Sequence, residues 1–252
     1  MHKAKMIVPN KLLLIFFICM STAASGIAQF SDSIHHNIGY AATGIVNQTD
    51  NSNSFVLNNA LKFNVSRKNK FLNSSASYIY GKQDGTLTNN DFSTAVNFNI
   101  YGHLPHLYYW GLAGYDKSLS LKINDRFQGG LGIGYDFIDK KEASISLSDG
   151  ILYEYNDLKD TTAEHDTYRT LRNSLRLKYH FVWKGIIVLD GVQFWQPSLS
   201  NGNDYVLKSL NSLSLKLKKW LNFTSSLNYN KVNRTQSKNL LFTVGLSADY
   251  YF

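Results

Sequence analysis

Taken in alternate steps, the closing stretch LLFTVGLSADYYF is two sequences. Leu240, Phe242, Val244, Leu246, Ala248, Tyr250 and Phe252 make one, and Leu241, Thr243, Gly245, Ser247, Asp249 and Tyr251 the other. Successive residues of a strand point to opposite faces, so a period of two predicts an extended segment, apolar on one side and small or polar on the other. The same period recurs through the chain. Phe55, Leu57, Leu61, Phe63 and Val65 alternate with Asn58, Lys62 and Asn64, and Leu171, Leu175, Leu177, Tyr179 and Phe181 with Arg172, Ser174, Arg176, Lys178 and His180. About twelve such runs of roughly ten residues follow Gln29, the length at which a tilted strand crosses a bilayer.

The connectors alternate in length. Short ones fall at 67–70, 102–106, 139–142, 183–185 and 218–220, and longer polar ones at 47–53, 82–90, 117–125, 156–167, 197–204 and 233–239. Short turns at one end and longer loops at the other describe an up-and-down transmembrane barrel of about 12 antiparallel strands, with the short turns periplasmic. A soluble sandwich would place Lys, Glu and Thr on its exterior, whereas the polar faces here are mostly Ser, Asn and Gly. Charged residues are 17% of the chain, below the roughly 25% of a globular domain, and aromatics are 14%. Tyr108, Tyr109, Trp110, Tyr153, Tyr155, Trp183, Trp195, Trp220, Tyr250 and Tyr251 stand near strand ends, as interfacial girdles do.

The start of the chain sets the compartment. Lys3, Lys5 and Lys11 precede the apolar run LLLIFFICM and the small residues STAASGIA, which together read as a secretory signal over 1–28 removed after Ala28. The run is too short to cross a bilayer as a helix, which takes about 20 apolar residues. Residues 29–252 then form one barrel domain in the outer membrane of a Gram-negative-type envelope. Cys19, the one cysteine, lies in the signal, so the domain is expected to hold no disulfide or cysteine metal site. The formal charge of +8 includes the three signal lysines and shows no basic cluster of the kind that binds nucleic acid.

An open edge in lipid leaves backbone groups unpaired, so the last strand must close on the first. Ile34 to Asn47 is its natural partner. Gly245, Leu246, Ala248, Tyr250 and Phe252 also resemble the terminal signature read by the barrel-assembly machinery of the outer membrane. The segment Tyr108 to Ile138 is similar to the family of salt-induced outer-membrane proteins, a domain-of-unknown-function family of barrels. Tyr115, Asp116, Arg126, Gly130, Gly132, Gly134 and Tyr135 carry that match, and Gly39 to Gly44 resembles the family's first strand, although Ile45 and Val46 depart from its usual turn. The resemblance implies a small integral outer-membrane barrel and no established activity.

A hydrolase needs a nucleophile, a base in reach and an orienting group. His180 beside Lys178, and His165 with Glu164 and Asp166, are the nearest approaches, and no catalytic residue, cofactor or metal site is assigned; His35, His36, His103 and His106 are too scattered to predict a metal. The bore is the better candidate. Arg172, Arg176, Lys178 and His180 form one basic column, and Lys208, Lys216 and Lys218 another, while Arg126, Asp136, Glu154 and Asp190 fall on the same inner face. Luminal charge sets the ion a pore favours. Two readings lead: a narrow passive channel for small anionic solutes, with Arg172, Arg176 and Lys208 at the constriction, or a salt-bridged plug holding a structural or stress-response barrel shut; a third, a lipid-modifying outer-membrane enzyme, lacks a catalytic constellation. The remaining expected partner is the lipid of the outer membrane.

Overall fold

In the computed structural model, which describes residues 36–49, 52–159 and 166–251, the chain is a closed antiparallel β-barrel with no helix among the described residues. The strands are β1 (His36–Gln48), β2 (Asn53–Arg67), β3 (Lys70–Gln83), β4 (Thr86–Tyr101), β5 (Leu107–Ser118), β6 (Ile123–Lys140), β7 (Ala143–Leu158), β8 (Asp166–Asn173), β9 (Leu175–Trp183), β10 (Ile187–Pro197), β11 (Tyr205–Lys216), β12 (Leu221–Val232) and β13 (Ser237–Tyr251). β8 and β9 are a single stave, interrupted at Ser174, whose N–H donates to the Gly150 carbonyl at 2.9 Å, and β7 pairs with both. β1 closes on β13 from Asn37 opposite Tyr251 to Gly44 opposite Val244. The barrel therefore has twelve staves and no free edge. The signal segment 1–28, His35, Glu164, His165 and Phe252 lie outside the described residues.

The start of β1, at His36, and the end of β13, at Tyr251, stand on one rim, here the lower, with the turns at 68–69, 102–106, 141–142, 184–186 and 217–220. The upper rim carries the turns at 84–85, 119–122, 198–204 and 233–236, with the end of β1, the start of β2, the end of β7 and the start of β8. Much of the polar sequence expected in loops at this rim is strand. β3 and β4 run on to a two-residue tip, Asp84 and Gly85, with φ of 50° and 79°, and β5 and β6 run to a tip at 119–122. Polar side chains do not end a strand whose backbone still finds partners across the ladder, and two residues at positive φ suit the twist of a hairpin.

The alternation has the orientation expected of a barrel in lipid. Leu131 (72% exposed), Leu240 and Phe242 are among the side chains on the outer face, whereas Thr243 and Ser247, the neighbours in register within β13, are wholly buried. Trp183, Trp195, Trp220, Tyr109, Tyr153 and Tyr250 point outward. Tyr108 and Trp110 do not: they are buried on the inner wall, 2% and 3% exposed. Their rings lie over a strip of glycine. A Cβ on Gly134 would sit 2.2 Å from the Tyr108 ring, and one on Gly132 would sit 2.2 Å from the Asp149 carbonyl oxygen and 2.7 Å from the Trp110 ring. The glycines of GLGIG thus make room for two aromatic rings inside the wall.

Candidate functional site

The bore is filled in layers. At the upper rim the β5–β6 turn folds inward, so that Leu121, Ile123, Leu158, Val206 and Val232 pack into a buried apolar cluster with Tyr168 against it. Leu121 and Ile123 come from one side of the barrel and Val206 and Val232 from β11 and β12. The β5–β6 and β12–β13 turns stand six staves apart, diametrically opposed, yet they touch. Thr235 Oγ1 donates to the Leu121 carbonyl at 3.3 Å, and Asn239 Nδ2 to Ser120 Oγ at 3.1 Å. Asp91 on β4 latches the turn, accepting from Ser118 Oγ at 2.9 Å, Ser120 N at 3.1 Å and Ser120 Oγ at 2.7 Å. The result is a lid of side chains across the mouth.

Beneath the cap lies a layer of paired charge. Arg172, with no exposed surface, bonds Glu154 Oε1 and Asp204 Oδ1, both at 2.9 Å. Glu154 also accepts from Gln128 at 2.7 Å and from Tyr168 at 3.0 Å, and Arg234 stacks on the Tyr168 ring at 3.9 Å. Beside this group Arg126 grips Asp116 through Nε at 3.0 Å and Nη2 at 2.8 Å, while Ser93 donates to the other carboxylate oxygen at 2.5 Å. Buried charge is tolerable only when paired and hydrogen-bonded, and these arginines are paired by spanning between staves, with Arg126 Nη1 and Arg172 Nε buried and without a hydrogen-bond partner among the described residues.

The lower bore is arranged differently. Arg176 lies over the Trp110 ring at 5.1 Å and donates to Ser148 at 3.0 Å, and its Nη2 is buried with no partner. Lys62 and Lys178 line the wall here, and Lys208 stands beside the Asp116–Arg126 pair of the layer above; none of the three forms a close ion pair among the described residues. The carboxylates at this level are engaged elsewhere: Asp190 meets His180 Nδ1 at 2.7 Å, Asp136 accepts from Tyr101 at 2.8 Å, and Asp249 from Asn222 at 3.2 Å.

Of the residues singled out in sequence, Arg126, Glu154 and Arg172 come together in the paired layer. Arg176, Lys178, His180, Lys208 and Asp136 face the bore below or beside it, and Lys216 is exposed at the lower rim. Lys218 belongs to the turn after β11 and lies over the Trp220 ring at 6.0 Å, so the second basic column ends at Lys216. Gly245, Leu246, Ala248 and Tyr250 are in β13, the last three on its outer face. Sequence reasoning missed Asp91, Asp204 and the apolar cap. The only signal for the cap is that Leu121 and Ile123 continue the alternation through a stretch otherwise polar.

Residues 41–250 match the family described as Protein of unknown function, DUF481. The chain belongs to that family. No curated protein matches it by sequence. Among solved structures, the DUF481 barrel is similar in fold to the translocator domain of the autotransporter NalP from Neisseria meningitidis (12% identity, TM-score 0.54, covering 88% of this chain and 90% of that one). It is also similar to an outer-membrane channel from Pseudomonas putida F1 (9% identity, TM-score 0.51, 91% and 100% covered) and to the NanC porin (10% identity, TM-score 0.51, 86% and 99% covered). At these identities the likeness is one of fold: this DUF481 protein is built as an outer-membrane barrel.

Proposed function

We propose that the protein is an outer-membrane pore shut at rest, which passes small anionic solutes once the cap is displaced. The observation that carries this reading is the contrast within the bore: paired, buried arginines under an apolar lid, and, beside and below them, Lys208, Lys62, Lys178 and Arg176, none of which forms a close ion pair among the described residues. Cations lining a narrow, low-dielectric passage favour anions and repel cations. The cap is held across the mouth by few hydrogen bonds to the opposite turn, so opening it requires little rearrangement of the wall. No reaction is assigned to it.

A second reading, a sealed barrel that contributes to envelope integrity, is favoured by the abundance of luminal carboxylates, which leave the bore as a whole close to neutral. The two separate in a planar bilayer with a salt gradient, using protein whose cap is weakened by Leu121→Ser. The pore reading expects conductance steps with an anion-selective reversal potential, reduced in selectivity when Lys178→Ser is added. The sealed reading expects a quiet bilayer from the same folded protein.

A further inference from the structure

The lipid-facing wall of β7 to β12 carries polar groups where hydrocarbon should be. Asp149 points outward on β7 between Leu147 and Ile151, opposite Ile133 on β6, and these three neighbours are 37%, 55% and 54% exposed. Its Oδ1 accepts from Asn173 Nδ2 at 2.7 Å and from the Gly150 N–H at 2.9 Å, which leaves Oδ2 unserved. Beside it the wall is hollowed into a groove of about 440 Å³, whose lining includes the apolar Leu147, Leu177, Trp195 and Leu207 and the polar Gln193 and Ser209.

Gln193 and Ser209 join a network on the same outer face. Asn211 Oδ1 accepts from Tyr179 at 2.6 Å and from Gln193 at 2.8 Å, and Asn211 Nδ2 donates to Ser209 Oγ at 2.9 Å. Asn211 and Tyr179 are satisfied within the cluster. Two groups are left over: the Oε1 acceptor of Gln193 and the hydroxyl donor of Ser209, on residues directly opposite each other in the β10–β11 ladder. The cluster lies between Trp183 and Trp195 of the same staves, within the apolar band those tryptophans bracket. Hydrocarbon offers neither a donor nor an acceptor, and ionisable groups facing lipid are rare and costly.

We propose that this wall is the contact between two copies of the barrel in the membrane. A two-fold interface presents the same patch from both sides, so that each residue i meets j while j meets i. One spare donor and one spare acceptor on adjacent strands form a self-complementary set: the Ser209 hydroxyl of each copy serves the Gln193 Oε1 of the other, with the apolar linings of the two grooves packed around them. Asp149 and Asn173 stand at the edge of the same patch and leave the lipid with it.

The test uses cysteine cross-linking in isolated outer membranes. In a Cys19→Ser background the chain has no other cysteine. Ser209→Cys probes the polar lining and Leu207→Cys the apolar lining, and Ala76→Cys on the outer face of β3, six staves from β10, is the control. Heat-modified mobility confirms folding of each. On oxidation with copper phenanthroline, position 209 or 207 is expected to give several-fold more disulfide-linked dimer than position 76, and the unmodified protein extracted in mild detergent is expected to have the mass of two chains. Equal dimer at all positions, or a mass of one chain with bound lipid, overturns the proposal. The result is independent of conductance, so it stands or falls apart from the pore reading.

Discussion

Thr235 and Leu121 meet across the mouth of the barrel, hydroxyl to carbonyl at 3.3 Å, although their turns rise from opposite walls. A barrel rim has no reason to be bridged unless something folds inward, and here that is the β5–β6 turn with Leu121 at its tip. The cap, the paired arginines below it and, lower still, Lys62 and Lys178 without a close ion pair among the described residues form an order from sealed to cationic that runs down one bore.

Asp91 is the latch on that turn, accepting three hydrogen bonds from Ser118 and Ser120. Asp91→Ala removes both carboxylate oxygens, and with them all three bonds, and leaves the strands paired. Amide exchange at residues 119–122 is expected to speed up while the amides of β9 and β10 are unchanged. Uniform acceleration would mean that Asp91 holds the whole barrel and not the turn.

Arg172 bridges Glu154 and Asp204 with no exposure to solvent. Arg172→Ala takes from buried Glu154 its hydrogen-bonded cation and leaves Asp204 with Arg234 alone, at 3.9 Å, and losing one partner of a buried pair costs about 3–5 kcal/mol. A large fall in the urea midpoint for unfolding is expected, with part of it recovered by adding Glu154→Gln. An unchanged midpoint would show that water enters this layer freely.

Gly129 and Gly132 differ by three positions and by everything a side chain would meet. A Cβ at Gly129 encounters nothing within 4 Å, whereas one at Gly132 strikes the Asp149 carbonyl at 2.2 Å. Gly129→Ala is expected to fold as the parent does, and Gly132→Ala to lose folded protein in a heat-modified mobility assay. Equal tolerance would contradict the placement of the Trp110 ring against the wall.

Phe242 and Thr243 test the two faces of β13. A lysine at outward Phe242 puts a charge in lipid, at a cost of about 2–4 kcal/mol near the bilayer midplane. Thr243 Oγ1 is buried on the inner face with no partner, so Thr243→Val removes an unsatisfied group at nearly constant shape and should be neutral or stabilising. Refolding midpoints in lipid vesicles read both, and the opposite ranking would invert the barrel.

The wall was legible in the sequence because its signal is local. Each strand carries its own alternation, and β13 alone declares which of Phe242 and Thr243 faces lipid. The contents of the bore were legible only as composition. Arg172 and Glu154 both read as luminal, but that they meet each other and Asp204 depends on register across β7 and β8 and on how the 198–204 segment folds in. Tyr108 and Trp110 read as girdle residues because aromatics near a strand end usually are. The clue lay on the neighbouring strand, where Gly130, Gly132 and Gly134 leave the space that two inward rings fill. The outward Asp149 went unnoticed for the opposite reason, since a single acid within an alternating run does not disturb the pattern.

Closure of the bore is the centre of this account, and single-channel recording of the refolded, inserted protein tests it most directly. The intact protein is expected to leave the bilayer quiet, and the Leu121→Ser, Asp91→Ala double variant to produce steps. Steady conductance from the intact protein, unchanged when the cap is altered, would contradict it.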